Sequence, residues 1–167
     1  MTEFRPMRRK DRALSDEDAR RVMKASHYAV LSTTGEDGRP YGVPVNVAIV
    51  DDVLYFHGTP QKSRKADNLK ANPAVSLCFT ACEERVPADY STNYASAIVE
   101  GQAALVTDPA EIERALLAIC AEHAAGMPLE KNMAYVRESG EFAAVWRVTI
   151  EHIAGKSRGW AAISAKL

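Results

Sequence analysis

The chain has 167 residues, of which 47% are hydrophobic and 26% charged, with 21 Lys and Arg against 22 Asp and Glu. These values exclude a disordered chain, which would combine low hydrophobicity with a high net charge. A formal net charge of −1 argues against a non-specific nucleic-acid binder, because no strong positive field is available. The length suits one domain, and three cysteines, an odd number, favour a reducing compartment over a disulfide framework.

The N-terminal half is predicted to hold an arm, one helix and three strands. The segments are an irregular basic arm over 1–14, a helix opening at Ser15, and strands over 28–34, 41–50 and 53–58. Ser15 is a candidate N-cap, because its hydroxyl can accept from the free amides of the first turn. Asp37-Gly38 is a hairpin signal between the first two strands, and Pro44 places the second strand at an edge or a bulge. We expect the three strands to form a meander.

Strands also dominate the C-terminal half. The predicted segments are a short helix over 66–72, strands over 74–80, 94–106 and 142–153, a polar loop over 83–93, helices over 109–125 and 131–138, and a tail over 161–167. Gly101 indicates a bulge or bend, and Asp108-Pro109 is typical of an N-cap followed by proline at the first helical position. Because strands outnumber helices without regular βα alternation, we expect one mainly β domain over 15–160, an antiparallel barrel with peripheral helices.

A cluster of cations follows the third predicted strand. Lys62, Arg64 and Lys65, here called the cation cluster, surround Ser63 where the short helix opens. Amides at a helix start favour an anion, arginine can grip a phosphate with two parallel bonds, and lysine adds a point charge. A solvated basic helix start is the alternative, but cations there oppose the helix dipole. The pattern favours phosphate binding.

The order of several short strings resembles the flavin-binding split-barrel family of pyridoxamine 5′-phosphate oxidase. The matching strings are Gly38–Val45, Leu54–His57, Ser63–Lys65 and Asn72–Leu77. Within the family, the chain is most similar to the subgroup related to 5-nitroimidazole-resistance proteins. The strings that carry this second likeness are Met7–Lys10, Tyr55–His57 and Ile153–Lys156. The resemblance implies an antiparallel split β-barrel that binds FMN at a homodimer interface.

The resemblance also implies which residues meet the cofactor. The implied cofactor-binding set is Val45, Asn46, Val47, His57, Lys62, Ser63, Arg64, Lys65, Tyr94 and Ser96. Ser63, Arg64 and Lys65 fall on the family's phosphate cluster, and Lys62 is an added cation. Tyr94 and Ser96 would approach from the partner subunit, unless they belong to an ordinary surface loop.

His57 is the candidate catalytic residue, because it falls where the family's third strand meets the cofactor. It could orient flavin or substrate, or ligate a haem in a relative that binds haem. The alternative is a strand-end histidine hydrogen-bonded to a loop. His123 lies on a predicted helix and is expected to be exposed. No two histidines have metal-ligand spacing, so no structural zinc is expected.

The implied function is an FMN-dependent oxidoreductase that passes electrons to a small acceptor such as a nitro-aromatic, with NAD(P)H as a possible donor. Two alternatives remain: a binding protein that stores flavin or haem without turnover, and an enzyme that uses deazaflavin F420. The N-terminus lacks the apolar stretch of a signal peptide, and no apolar run approaches the roughly 20 residues of a membrane span. We therefore expect a cytoplasmic protein with no membrane or nucleic-acid partner.

Overall fold

Antiparallel strands make up most of the molecule. The computed structural model describes residues 4–167, and within them are eight strands and five helices. In chain order they are β1 (Ala13–Leu14), α1 (Asp16–Ala25), β2 (Ala29–Thr34), β3 (Pro40–Val45), β4 (Ala48–Val50), β5 (Val53–Gly58), α2 (Arg64–Ala71), β6 (Ala74–Val86), β7 (Ser91–Leu105), α3 (Pro109–His123), α4 (Leu129–Ser139), β8 (Ala144–Arg158) and α5 (Trp160–Ser164). The predicted mainly β architecture is confirmed.

The strand order explains why the sheet closes into a split barrel. The strands lie in the order β3-β2-β6-β7-β8-β5-β4, and β1 pairs with β8. The end strands β3 and β4 are joined only by Asn46 and Val47, so Val45 and Ala48 are at most about 11 Å apart along the chain. The sheet must therefore curl until its two edges meet. Because no strand pairing joins β3 to β4 or β5 in the described residues, the barrel keeps a gap along β3.

Two apolar cores lie on the two sides of β5. The barrel interior contains Leu54 and Phe56, and α1 closes one end of it with Ala19, Val22 and Met23. Tyr55 points the other way, into a second cluster that β5 and β8 form with α3 and α4. This alternation is the ordinary period of two along a strand. It means that one strand presents side chains both to the barrel and to the helical layer.

Several local predictions are confirmed. The Ser15 hydroxyl accepts from the Asp18 amide at 3.1 Å, and Asp108 caps α3 with Pro109 in the first turn. Gly38 takes a positive φ of 74° in the β2–β3 turn, and Pro44 lies on an edge strand. Gly101 marks a register shift between β7 and β8. A β-carbon there would lie 2.1 Å from the Thr149 carbonyl oxygen, so the close approach of the two strands requires glycine.

Other predictions are wrong. The strand expected over 41–50 is broken at Asn46 and Val47, and its two halves lie at opposite edges of the sheet, so there is no three-strand meander. The polar loop expected over 83–93 is mostly a hairpin, because β6 runs to Val86 and β7 begins at Ser91. Cross-strand pairing overrides the polar composition there. Strand β8 also continues to Arg158, five residues beyond its predicted end.

Both predicted terminal segments contain regular structure. The part of the arm at 1–3 lies outside the described residues, but Ala13 and Leu14 pair with Lys156 and Gly155 of β8. The tail expected over 161–167 begins inside α5, whose Ile163 is fully buried. The Arg21 guanidinium lies 5.5 Å from the ring centroid of Trp160, which begins this helix. No helix in residues 4–167 combines the length and the apolar character needed to cross a membrane.

Candidate cofactor site

Helix α2 begins inside the cation cluster, two residues before the predicted start of the short helix. Ser63 is its N-cap, and its hydroxyl accepts from the Ala66 amide at 3.3 Å. Arg64 and Lys65 are therefore the first two helical residues, and Lys62 is exposed just before them. The free amides of a first turn and three cations are thus gathered at one end of one helix.

A buried amide fixes α2 against the barrel. Asn68 donates from Nδ2 to the Thr33 hydroxyl at 2.9 Å, and that hydroxyl donates to the Tyr41 carbonyl at 3.3 Å. Asn68 and Thr33 are 6% and 3% exposed, so these bonds are shielded from water. Asn68 was not among the residues predicted from the sequence. The sequence did contain a sign of its role, because asparagine has only modest helix propensity. Its position in the middle of a short helix suggests a buried hydrogen-bond partner.

The first two side chains of α2 reach opposite sides of the barrel gap. The Arg64 guanidinium lies 4.6 Å from the ring centroid of Tyr41, which is on β3. The Lys65 ammonium lies 5.3 Å from the ring centroid of Phe56 and 3.5 Å from the His57 carbonyl oxygen, both on β5. Strand β4 pairs with β5 only over Val53 to Tyr55. No strand therefore lies on that side of β5 from Phe56 to Gly58. The helix start therefore bridges the gap.

The cation cluster forms no ion pair with the described residues. Of the ion pairs in residues 4–167, none involves Lys62, Arg64 or Lys65. Lys62 and Arg64 are exposed and Lys65 is half-buried, and burial lowers the pKa of Lys65. Gly58 leaves room for the Lys65 side chain, because a β-carbon on Gly58 would lie 3.2 Å from the ammonium nitrogen. Cations that have no carboxylate partner are a chemistry that fits a phosphate.

The link between β3 and β4 passes beside the same end of β5. Ala48 lies opposite Tyr55, and the buried side chains of Val45 and Val47 pack in the same cluster as Phe56. Asn46 is exposed between them. Of the predicted residues, Val45, Val47 and Lys65 are thus grouped around the end of β5 that carries His57.

His123 supports this link from the helical layer. Its Nε2 lies 3.0 Å from the Val47 carbonyl oxygen, and a protonated Nε2 donates to it. The expectation that His123 is exposed is wrong, since it is half-buried at the end of α3. A contact over 76 residues of chain leaves no local signal in the sequence.

His57 contacts the cation cluster through its backbone and the helical layer through its side chain. Its cross-strand partner is Val145, which packs in the cluster formed with α3 and α4. Burial is the main factor that lowers the pKa of His57, followed by the charges of Lys65 and His123. This direction favours the neutral imidazole, in which one nitrogen can donate and the other can accept.

Tyr94 and Ser96 lie apart from this group within one chain. They are on β7, where Tyr94 is paired with Arg158 and Ser96 with Lys156 of β8. The Tyr94 carbonyl accepts from the Ser157 hydroxyl at 2.7 Å, and the Lys156 ammonium is 5.9 Å from the Tyr94 ring centroid. No hydrogen bond or ion pair in residues 4–167 connects either residue to α2. The alternative of a surface loop is wrong.

Comparisons with known proteins assign the family. The family described as pyridoxamine 5′-phosphate oxidase matches residues 15–157. The chain belongs to this family. A curated relative, the pyridoxine/pyridoxamine 5′-phosphate oxidase of Herminiimonas arsenicoxydans, is 29% identical in an alignment 137 positions long, and the match covers 70% of this chain and 65% of the relative. The chain thus spans slightly less than two thirds of that relative.

Solved structures support the same fold. A candidate 5-nitroimidazole antibiotic resistance protein from Bacteroides thetaiotaomicron VPI-5482 is 22% identical with a TM-score of 0.74, covering 87% of this chain and 86% of its own. The FAD and haem binding protein from Mycobacterium smegmatis is 22% identical with a TM-score of 0.70, covering 90% and 78%. At these identities the likeness concerns the fold.

Within the described residues, no group of three metal-ligating side chains is found.

Proposed function

We propose that this protein binds FMN with its phosphate at the start of α2 and works as a flavin-dependent oxidoreductase. The observation that carries the proposal is the placement of Arg64 and Lys65, which bridge the barrel gap without carboxylate partners. Two charge-assisted contacts and the amides of a helix start suit a phosphate dianion. Membership of the family supports a flavin as the molecule that carries this phosphate.

Other residues of the chain would supply further contacts to the cofactor. Ser63 and Lys62 would add a hydroxyl and a third positive charge at the phosphate. Val45 and Val47 offer apolar contact to a flavin ring, and Asn46 offers an exposed amide that can donate and accept. When bound, the flavin supplies the redox chemistry, and the protein supplies position and electrostatics.

We propose that the working unit is a homodimer. An apolar row crosses the outward face of five neighbouring strands, which are β3, β2, β6, β7 and β8. The row consists of Pro44, Val30, Cys78, Ile98 and Ala154, each paired with the next across the sheet. A second copy covering this face would remove the row from water, and it would give Tyr94 and Ser96 a route to the partner's cofactor.

The proposed acceptor is a small molecule such as a nitro-aromatic, with NAD(P)H as the electron donor and His57 as the residue that orients flavin or acceptor. The neutral imidazole supports this role, because it can donate or accept without a change of net charge. The odd cysteine count supports a reducing, cytoplasmic location.

The deciding experiment measures FMN affinity in a charge-removal variant. Replacing Arg64→Ala and Lys65→Ala together is expected to weaken FMN binding at least about 100-fold, since each charge-assisted bond is worth roughly 1.5–3 kcal/mol. Lys131→Ala with Arg137→Ala is the matched control, because it removes two exposed cations from α4. Equal FMN affinity in both double variants would refute the phosphate assignment.

The absorption spectrum of the purified protein distinguishes the cofactors. Flavin bands support the proposal, whereas a Soret band favours a haem protein and the bands of F420 favour a deazaflavin enzyme. Turnover of NAD(P)H with a nitro-aromatic then distinguishes an enzyme from a protein that only stores flavin.

A further inference from the structure

A cavity of about 320 Å³ opens beside His57 and Gly58 at the end of β5. It lies between the end of β5, the helices α3 and α4, and the turn before β8. Leu116, Cys120 and Val136 contribute to its walls, and His57, Tyr135 and Phe142 also line it. This volume falls within the range of roughly 300–1,000 Å³ that small-molecule sites occupy.

The cavity has no charged lining. All of its lining residues lie in the described part of the chain, and none is Asp, Glu, Lys or Arg. Burial favours the uncharged forms of two lining groups, because it lowers the pKa of His57 and raises that of Cys120. A charged ligand would find no counter-charge among the lining side chains themselves.

Two aromatic side chains stand beside the cavity with most of their surface open to water. Tyr135 and Phe142 are each 63% exposed, although both rings could bury apolar area. Aromatic rings at the edge of an apolar cavity favour a flat, aromatic ligand through offset or edge-to-face contacts. His57 and Thr59 are the polar side chains on the β5 side, and the His57 ring can hold one polar substituent of that ligand.

We infer that this cavity, here called the aromatic pocket, binds an uncharged aromatic molecule, with its ring against Tyr135 and Phe142 and a polar substituent at the His57 imidazole. A cavity of about 150 Å³ holds benzene, so roughly twice that volume holds a substituted ring. The assignment of this molecule as the electron acceptor rests on the proposed function. The binding itself requires only residues of one chain.

The test uses nitrobenzene as the probe and 4-nitrobenzoate as its charged counterpart, with the purified full-length protein and calorimetric titration. Wild type is expected to bind nitrobenzene saturably and 4-nitrobenzoate at least about tenfold more weakly. Cys120→Phe is expected to abolish nitrobenzene binding by filling the pocket. Ala121→Phe is the matched control, since it adds the same ring to the exposed face of the same helix.

A second variant keeps the test decisive if Cys120→Phe does not fold. Tyr135→Ala with Phe142→Ala removes two exposed rings, so folding should persist while nitrobenzene binds at least about fivefold more weakly. Unchanged nitrobenzene affinity in these variants, or equal affinity for the two probes, would overturn the inference. Nitrobenzene binding in a protein that fails to bind FMN would refute the proposed function and leave the pocket intact.

Discussion

His57 is the residue at which the cation cluster and the aromatic pocket meet. Its carbonyl oxygen lies 3.5 Å from the Lys65 ammonium, while its ring lines the aromatic pocket between α3 and α4. A ligand on either side therefore changes the surroundings of the same residue. Because Lys65 also lowers the pKa of His57, neutralising this ammonium by a bound phosphate would make the imidazole more basic.

We expect His57 to titrate below its ordinary pKa of 6.5, because burial and the Lys65 charge both disfavour the imidazolium. NMR titration of the ring protons measures this midpoint, and Lys65→Met should raise it. Lys131→Met removes an exposed cation that does not contribute to the shift of His57, so it should leave the midpoint unchanged. A wild-type midpoint at or above 6.5 would contradict the prediction.

The same shift makes stability depend on pH in one direction. The unfolded chain takes up a proton on His57 near pH 6.5, whereas the folded chain does so only at lower pH. Stability therefore falls as the pH drops from 6.5 towards the folded pKa. Replacing His57→Gln should remove this part of the pH dependence in chemical denaturation.

At the scale of elements, the features that local chemistry determines were predictable. Ser15 and Asp108 carry capping side chains, Asp37-Gly38 suits a tight turn, and Gly101 lacks the β-carbon that its neighbour strand excludes. The break at Asn46 and Val47 was not predictable, because valines continue to alternate across it and only the closure of the sheet requires it.

The same distinction between local and long-range features applies to the residues of the candidate site. Ser63, Arg64 and Lys65 are adjacent in the chain, so their placement at a helix start could be read from the sequence. Asn68 and His123 act through contacts with Thr33 and Val47, which lie 35 and 76 residues away. The aromatic pocket is likewise lined by residues of β5, α3 and α4, which are distant in the sequence. No local sequence pattern therefore predicts it.

Gly101→Ala tests the bulge in the antiparallel pairing of β7 with β8. The added methyl group would meet the Thr149 carbonyl oxygen at 2.1 Å, which backbone movement alone can relieve. We expect a loss of at least about 2 kcal/mol in unfolding free energy by chemical denaturation. Gly42→Ala is the matched control on β3, because its methyl group would meet Val30 at an ordinary 3.5 Å. Equal stability of the two variants would contradict this account.

At the scale of the whole molecule, the barrel gap explains how a small domain can offer a binding site. The barrel interior is packed with its own side chains, including Phe56 and Trp146. The candidate site lies instead where the sheet fails to close. The net charge of −1 gives no indication of this site, because acidic residues elsewhere in the sequence balance the positive charges of the cation cluster.

Val30→Lys tests whether the outward face of the sheet joins two copies. Val30 is 37% exposed in one chain, so the isolated fold should tolerate a lysine there. In the proposed dimer, the charge of this lysine would be buried without a counter-charge. We expect sedimentation to show a monomer, with loss of bound FMN because Tyr94 and Ser96 of the second copy are removed. Leu129→Lys is the control, since Leu129 is 61% exposed at the start of α4, away from this face. A Val30→Lys protein that keeps the mass of a dimer would exclude this face as the interface, and a monomer that keeps its FMN would place the whole cofactor site within one chain.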